Sequence, residues 1–342
     1  MKKVFIAMAA IAAMASSCTK EEIVKEEIPL QESEVHISFV NDVATRAIGQ
    51  DHGVQDNDNN INTLEIFVFR NNEGGVDYGL LDGYKKLTGD ELKNMGNITL
   101  KTTTGKKIIY AIANSHKTDW TDGISKEKIE QLMAYLYKED VKNFIMFASS
   151  EVTLQATSTV TMVLTRMVSR VTLNSLQVSF AGTPFEGDPL QNVKAYLTNV
   201  QAQKSLLTGI GTNLKVVNSK KYVPEDMTGI TMQGMLYDNL AESITEATHS
   251  TPHHFYCYEN SRNIETDDDR FTRLVIEGTL NGITYYYPIA IKNLKRNSCY
   301  SLDVKIYRPG SLDPDKEVEY GTLDMRLNVQ PWNTIPGSVV EF

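Results

Sequence analysis

VHISFVNDVATRA, residues 35–47, reads as a β-strand followed by a cutting site. Val35, Ile37 and Phe39 alternate with His36 and Ser38, giving an extended segment one apolar and one mostly polar face. Such a face belongs against a core. Asn41 and Asp42 end the pattern, and Arg46-Ala47 precedes GQDHGVQDNDNN (49–60), a polar run with no apolar period that leaves the Arg46 bond accessible. An accessible Arg-Ala bond suits an Arg-specific, trypsin- or gingipain-like protease. The expectation is a strand built into a precursor and then removed, leaving a sheet edge and an apolar groove that a second chain must fill.

The 342 residues are 41% hydrophobic and 23% charged, the balance of ordinary globular protein, and their length suits two domains. A net charge of -9 without clustered Lys and Arg excludes nucleic acid as a partner.

The start has the form of a secretory signal over residues 1–17. Lys2 and Lys3 form a positive region, and Val4 to Met14 form an apolar stretch too short to span a bilayer. Ala15-Ser16-Ser17-Cys18 resembles a bacterial lipobox, in which Cys18 is lipidated and becomes the new N-terminus. Lys20-Glu21-Glu22 resembles a signal for the outer surface of Gram-negative cells. Residues 18–46 then read as a lipidated propeptide that contains the removable strand, with Lys20 to Glu34 as a solvated acidic tether.

Beyond Asn62 the chain is strand-rich: 63–70, 97–103, 106–114, 144–150 and 158–166, each β-branched or aromatic and bounded by Gly, Asn or Asp. A second set begins near Val168 and includes 168–180, 192–202, 254–260, 271–280, 283–291 and 299–307. Ser125 caps an expected helix with Ile129, Leu132, Met133 and Leu136 on one stripe, and Thr88 with Glu91 has capping-box spacing for a shorter one. Residues 205–251 read as long loops with minor strands. This is a mainly β chain of two sandwich domains, 47–166 and 167–342, with one or two short helices in the first.

No residue constellation promises catalysis, a cofactor or a metal. Asp56, Asp58 and Asn60 open like a calcium loop, but Ile61 and Phe67 stand where Gly and Glu are needed. His253 and His254 are strand neighbours that point to opposite faces and so read as surface histidines. Asp267 to Asp269 read as a loop tip that could collect a weak divalent cation, and Cys257 and Cys299 as two buried free thiols, with a disulfide between them open in an oxidising compartment. There is no GxSxG, HExxH, Walker loop or CxxC.

The lipobox, Thr45-Arg46-Ala47, LTRMVSRVTLNSL (164–176), FYCYEN (255–260), LKRNSCYSLDVKI (294–306), the loop Gly310 to Pro314 and Trp332 occur in an order that resembles fimbrillins. These are the lipoprotein-precursor pilins of type V pili in Gram-negative anaerobes. The resemblance implies transthyretin-like sandwiches, export as a lipoprotein to the outer membrane, removal of the first strand after Arg46, and assembly on the cell surface by strand exchange. It implies as partners further copies of the chain, related pilus subunits, an Arg-specific protease, and host or bacterial surface ligands for adhesion and biofilm formation. Residues 205–251 carry no motif of the family.

A shaft subunit must both accept and donate a strand, and the C-terminal arm 320–342 is the expected donor. Leu323, Met325, Leu327, Val329, Val340 and Phe342 would face inward, together worth about 9–18 kcal/mol gross, against roughly 4–15 kcal/mol for association. Head-to-tail donation is a heterologous contact, which propagates into a fibre when its rotation does not close. Three alternatives stand beside the shaft. A tip or anchor subunit is one; a monomeric glycan-binding lipoprotein with Tyr285, Tyr286 and Tyr287 as platform is another; a carbohydrate-active enzyme with an acidic pair in a cleft is the third.

Overall fold

The computed structural model describes residues 30–39, 60–117, 119–207, 215–227, 235–318 and 323–331. The described residues from Gln31 onward form one compact unit. The first strand lies where alternation puts it: β1 spans Glu32–Phe39. Along the chain come β2 (Thr63–Arg70), β3 (Leu81–Thr88), β4 (Ile98–Thr103), β5 (Gly105–Ala113), α1 (Lys126–Glu130), β6 (Met133–Tyr135), β7 (Met146–Leu154), β8 (Thr157–Met162) and β9 (Thr165–Arg166). These strands make a three-stranded sheet, β4-β1-β8, and a five-stranded sheet, β3-β2-β5-β7-β9. The apolar faces of the two share one buried cluster, with Val35 and Ile37 meeting Leu64, Ile66, Ile109 and Met146.

β2 is buried on both faces, which is why it reads as a continuous apolar run. Ile66 and Val68 enter the cluster with β1, whereas Phe67 and Phe69 enter a second cluster that extends to the rest of the chain. Glu65 is the one charged residue among the buried positions of β2, Leu64 to Phe69, and it is satisfied: Tyr84 Oη and Trp120 Nε1 donate to its carboxylate at 2.7 and 2.9 Å.

Strand β9 ends at Arg166 and the next begins at Val168, where the chain passes to another pair of sheets. The later strands are β10 (Val168–Val178), β11 (Leu190–Thr198), β12 (Val200–Gln201), β13 (Gln203–Ser205), β14 (Val216–Val217), β15 (Tyr237–Ile244), β16 (Ala247–His249), β17 (His253–Tyr258), β18 (Thr272–Leu280), β19 (Ile283–Ile291), β20 (Ser298–Ile306) and β21 (Leu323–Pro331). One sheet runs β16-β10-β20-β21 with β17 also on β10, and the other runs β15-β11-β18-β19. A short antiparallel pair, β6 with β13, links the earlier strands to the later ones.

Several expectations need correction. The helix expected to carry Ile129, Leu132, Met133 and Leu136 is a five-residue turn, Lys126–Glu130, capped by Ser125 Oγ accepting from Lys128 N. Met133 leaves it to pair with Ser205, and tertiary pairing overrides the helical period. The shorter helix expected after Thr88 is present, as a 3₁₀ helix, Gly89–Asn94, with its capping box: Glu91 accepts from Thr88 N at 3.2 Å. Residues 205–251 hold more structure than loops, since the eight-residue β15 forms an edge of the four-stranded sheet. His253 and His254 are half-buried rather than on the surface. His253 Nδ1 lies 2.6 Å from Asp238 Oδ2 and its Nε2 lies 2.9 Å from His249 Nε2, whereas His254 Nδ1 lies 2.9 Å from Thr172 Oγ1.

Cys257 and Cys299 are both buried, and they flank β10, opposite Ser169 and Arg170. Two strand spacings, about 9.5 Å, separate them, beyond the roughly 7 Å Cα limit of a disulfide.

Candidate functional site

The site begins with the residues of β1. The strand lies in the middle of its sheet, antiparallel to β4 with Glu32 opposite Thr103 and Ile37 opposite Ile98, and parallel to β8 with Glu34 opposite Thr157 and Phe39 opposite Met162. Val35 and Ile37 are fully buried and Phe39 is 7% exposed. Three such side chains are worth roughly 5–9 kcal/mol of apolar burial, so the slot beneath β1 is poorly suited to water.

The outward face is polar and loosely tied. Ser38 Oγ and Thr161 Oγ1 lie 3.1 Å apart, and His36 Nδ1 and Thr99 Oγ1 lie 3.2 Å apart. At its start, Ser33 Oγ donates to Gln155 O at 2.5 Å and Glu34 N to Ala156 O at 2.9 Å. At its end, Phe39 N donates to Met95 O at 2.9 Å.

Cys18, Arg46 and Ala47 lie outside the described residues, as do Asp56, Asp58, Trp332, Val340 and Phe342. The rest of the expected donor, Leu323 to Val329, lies on β21, seated antiparallel on β20 from Leu323 opposite Ile306 to Pro331 opposite Ser298. As the edge strand of its sheet it covers its own side chains only in part. Leu323, Leu327 and Val329 pack against the second core cluster, while Met325 is 42% exposed on this edge strand.

The tyrosine run of β19 does not make a platform. Tyr287 is buried and donates to Arg308 O at 3.1 Å, while Tyr285 and Tyr286 are half-buried. The backbone of Tyr286 exchanges two hydrogen bonds with Ser311, at 2.8 and 2.9 Å, docking the loop 310–314 on this sheet edge. Asp267, Asp268 and Asp269 are exposed, with Asp269 paired to Arg262. Among the described residues no group of three His, Cys, Asp or Glu side chains is placed to hold a metal ion.

Sequence reasoning missed β3 and the residues on it that touch β4. Asp82, 2% exposed at its side chain, accepts from Thr103 N at 2.8 Å, Thr103 Oγ1 at 2.8 Å and Arg70 Nε at 3.1 Å. Thr102 Oγ1 also donates to it, and Lys107 Nζ lies 3.0 Å away. Burial pushes this carboxyl's pKa up, but the bonds from Thr102, Thr103 and Lys107 outweigh it and hold the group ionised well below the usual range. The Asp82-Gly83 pair looks like a turn in sequence, and only the topology shows it as a strand.

Known proteins share this outline. A family profile described as "Major fimbrial subunit protein (FimA)" matches residues 33–266, a span that includes most of β1. The chain is similar to the major fimbrium subunit FimC of Porphyromonas gingivalis, 27% identical over 334 residues that cover 93% of this chain and 67% of that protein. Among solved structures it is similar to a fimbrilin (FimA) of P. gingivalis W83, with a TM-score of 0.63 at 16% identity, covering 89% of this chain and 99% of that one. A putative cell adhesion protein of Bacteroides eggerthii gives a TM-score of 0.60 at 16% identity, covering 89% and 97%. These likenesses, at low identity, show a shared fold. With the profile spanning well over half of its length, the chain belongs to the FimA family of major fimbrial subunit proteins.

Proposed function

We propose that this chain is a structural subunit of a cell-surface fimbrium, made as a lipoprotein precursor and assembled after removal of β1. The observation that carries the reading is the seat of β1. It is a chain-proximal strand, buried on one face and central in its sheet, yet joined to the rest only through the segment that holds Arg46. Cutting there frees a strand without breaking a hairpin, and leaves a slot with unpaired backbone on both walls.

In this reading Cys18 carries the lipid that delivers the precursor, residues 18–46 included, to the outer membrane. An Arg-specific protease cuts between Arg46 and Ala47, and two sandwich domains, 47–166 and 167–342, form the mature subunit. Arm 320–342 of one copy enters the slot of the next by strand addition, so the chain acts as a shaft subunit with no catalysis of its own. The resulting fibre supports adhesion and biofilm formation. β21 is a suitable donor because it is an edge strand, paired on one side and partly buried.

The donor assignment is tested by deleting residues 320–342. The truncated chain is expected to fold, to be cut, and to cap fibres of full-length subunits without extending them. Truncated subunits that form fibres of normal length by themselves would overturn the shaft assignment.

A further inference from the structure

If β1 leaves, β4 and β8 both lose their sheet partner, because β1 is the strand between them. Walls left so far apart would be expected to close over the slot or fray. On the β8 side the answer is covalent: only Gln155 and Ala156 separate it from β7, which is paired to β5 in the five-stranded sheet. Gln155 N further donates to Ser158 Oγ at 2.9 Å across that turn.

The β4 side is held by β3, along most of its length. Lys85 Nζ donates to Thr99 O at 3.1 Å. Gly83 lies against Leu100 and Lys101: a Cβ there would stand 2.4 Å from Leu100 Cδ2 and 3.2 Å from Lys101 O, so any side chain would displace the buried Leu100 side chain and crowd the β4 backbone. Asp82 gathers Thr102, Thr103 N and Thr103 Oγ1 on one carboxylate, which Lys107 and Arg70 neutralise from the other side. None of these contacts involves β1. They run from β4 to the edge strand of the opposite sheet, through a corner that does not depend on the strand to be removed.

We propose that Asp82 and Gly83 are positioning residues for the incoming strand, keeping the slot open in subunits that have lost β1 so that an extended segment of a second copy finds a preformed site. This rests on the strand-removal reading of the proposed function. A preformed slot spares the incoming strand the cost of ordering its own receptor. While β1 is in place, its six-pair ladder holds β4 as well, so the β3 contacts are partly redundant before cleavage and decisive after it.

The test uses the full-length precursor, cut at Arg46 with an Arg-specific protease and titrated with a fluorescent peptide of residues 31–40. That peptide reports on the slot whatever the natural donor is. Cut wild type is expected to take up one peptide per chain. Asp82→Asn and Gly83→Ala are expected to lose at least tenfold in affinity, while their uncut forms keep the wild-type circular dichroism and, with β1 still holding β4, lose clearly less stability than uptake. Thr103→Val removes one donor but leaves Asp82 on Lys107; it keeps the test decisive if Asp82→Asn does not fold, and is expected to lose several-fold. Uptake by these cut variants within twofold of wild type would overturn the proposal. So would a loss of stability in the uncut variants as large as the loss of uptake, which a merely structural role gives. A cut wild type that binds no peptide would instead remove the strand-removal reading, and this inference with it.

Discussion

Ile37 stands opposite Val160 in a parallel ladder, with 0% and 7% of their surfaces exposed. Parallel neighbours cannot be joined by a tight hairpin. β1 is therefore held to β8 only by ladder bonds and side chains, and Ile37 at its centre is the strand's main anchor. Ile37→Ala in the precursor is expected to cost about 2–5 kcal/mol. Urea unfolding measures it, and a loss below about 1 kcal/mol, outside the range for a buried isoleucine, would show that the strand is not an integral part of the fold.

Loop 310–314 depends on a close approach. A Cβ at Gly310 would stand 2.4 Å from Tyr286 O and 2.9 Å from Tyr287 Cε1, against backbone already paired into the β18–β19 ladder. Gly310→Ala is expected to detach Ser311 from Tyr286 and to raise proteolysis of this loop several-fold. Limited proteolysis coupled to mass spectrometry reads the cut sites.

Stability should pass through a maximum near pH 6.5. Burial pushes Glu139 up to about 8, despite the bonds it accepts from Tyr258 Oη and Ile145 N. Relative to the unfolded chain it holds an extra proton between about pH 4.5 and 8, so this group makes stability fall as pH rises through that window. Burial, with Lys138 beside one and Arg170 and His253 near the other, lowers His116 and His254 to about 4. The unfolded chain then binds more protons between about pH 4 and 6.5, so their contribution is lost as pH falls through that range. Two histidines outweigh one glutamate on the acid side, and Glu139 acts alone on the alkaline side. Glu139→Gln is expected to raise the unfolding free energy at pH 8 by on the order of 1 kcal/mol or more, and to leave it nearly unchanged at pH 4.5, as urea unfolding at each pH measures. Equal effects at both pH values would contradict this account.

The parts legible in sequence are those where one signal dominated. β2 starts and ends where the run Thr63 to Arg70 does, because burial on both faces leaves no polar position but Glu65 between its two polar ends. β1, β18 and β19 were legible for related reasons, as alternating or continuous apolar runs bounded by turn residues. β3 was not, since LDGYKKLT carries an Asp-Gly turn signature, and its glycine serves a close approach to Leu100 instead. The helical period of Ile129, Leu132, Met133 and Leu136 was misleading in a specific way. Ile129 and Leu136 are both buried, but the chain reaches Leu136 through a strand paired to residues some 70 positions later. Asp82 could be found only in three dimensions, because its partners lie on β2, β4 and β5.

Delivery is expected to depend on Cys18. Cys18→Ala should remain unlipidated and should lower the amount of subunit on the outer surface, as read by radiolabelled palmitate incorporation and surface biotinylation. Normal lipidation and display would contradict the lipoprotein reading.

Cleavage after Arg46 is expected to trigger assembly, and the cut and uncuttable chains separate the two outcomes. Purified wild-type precursor and Arg46→Ala are treated with the same Arg-specific protease and monitored by sedimentation velocity, with electron microscopy of the end products. Cut wild type is expected to pass from monomer to fibres, while Arg46→Ala stays monomeric with residues 32–39 still in the sheet. Fibres from the uncut Arg46→Ala chain at the wild-type rate would contradict cleavage as the trigger.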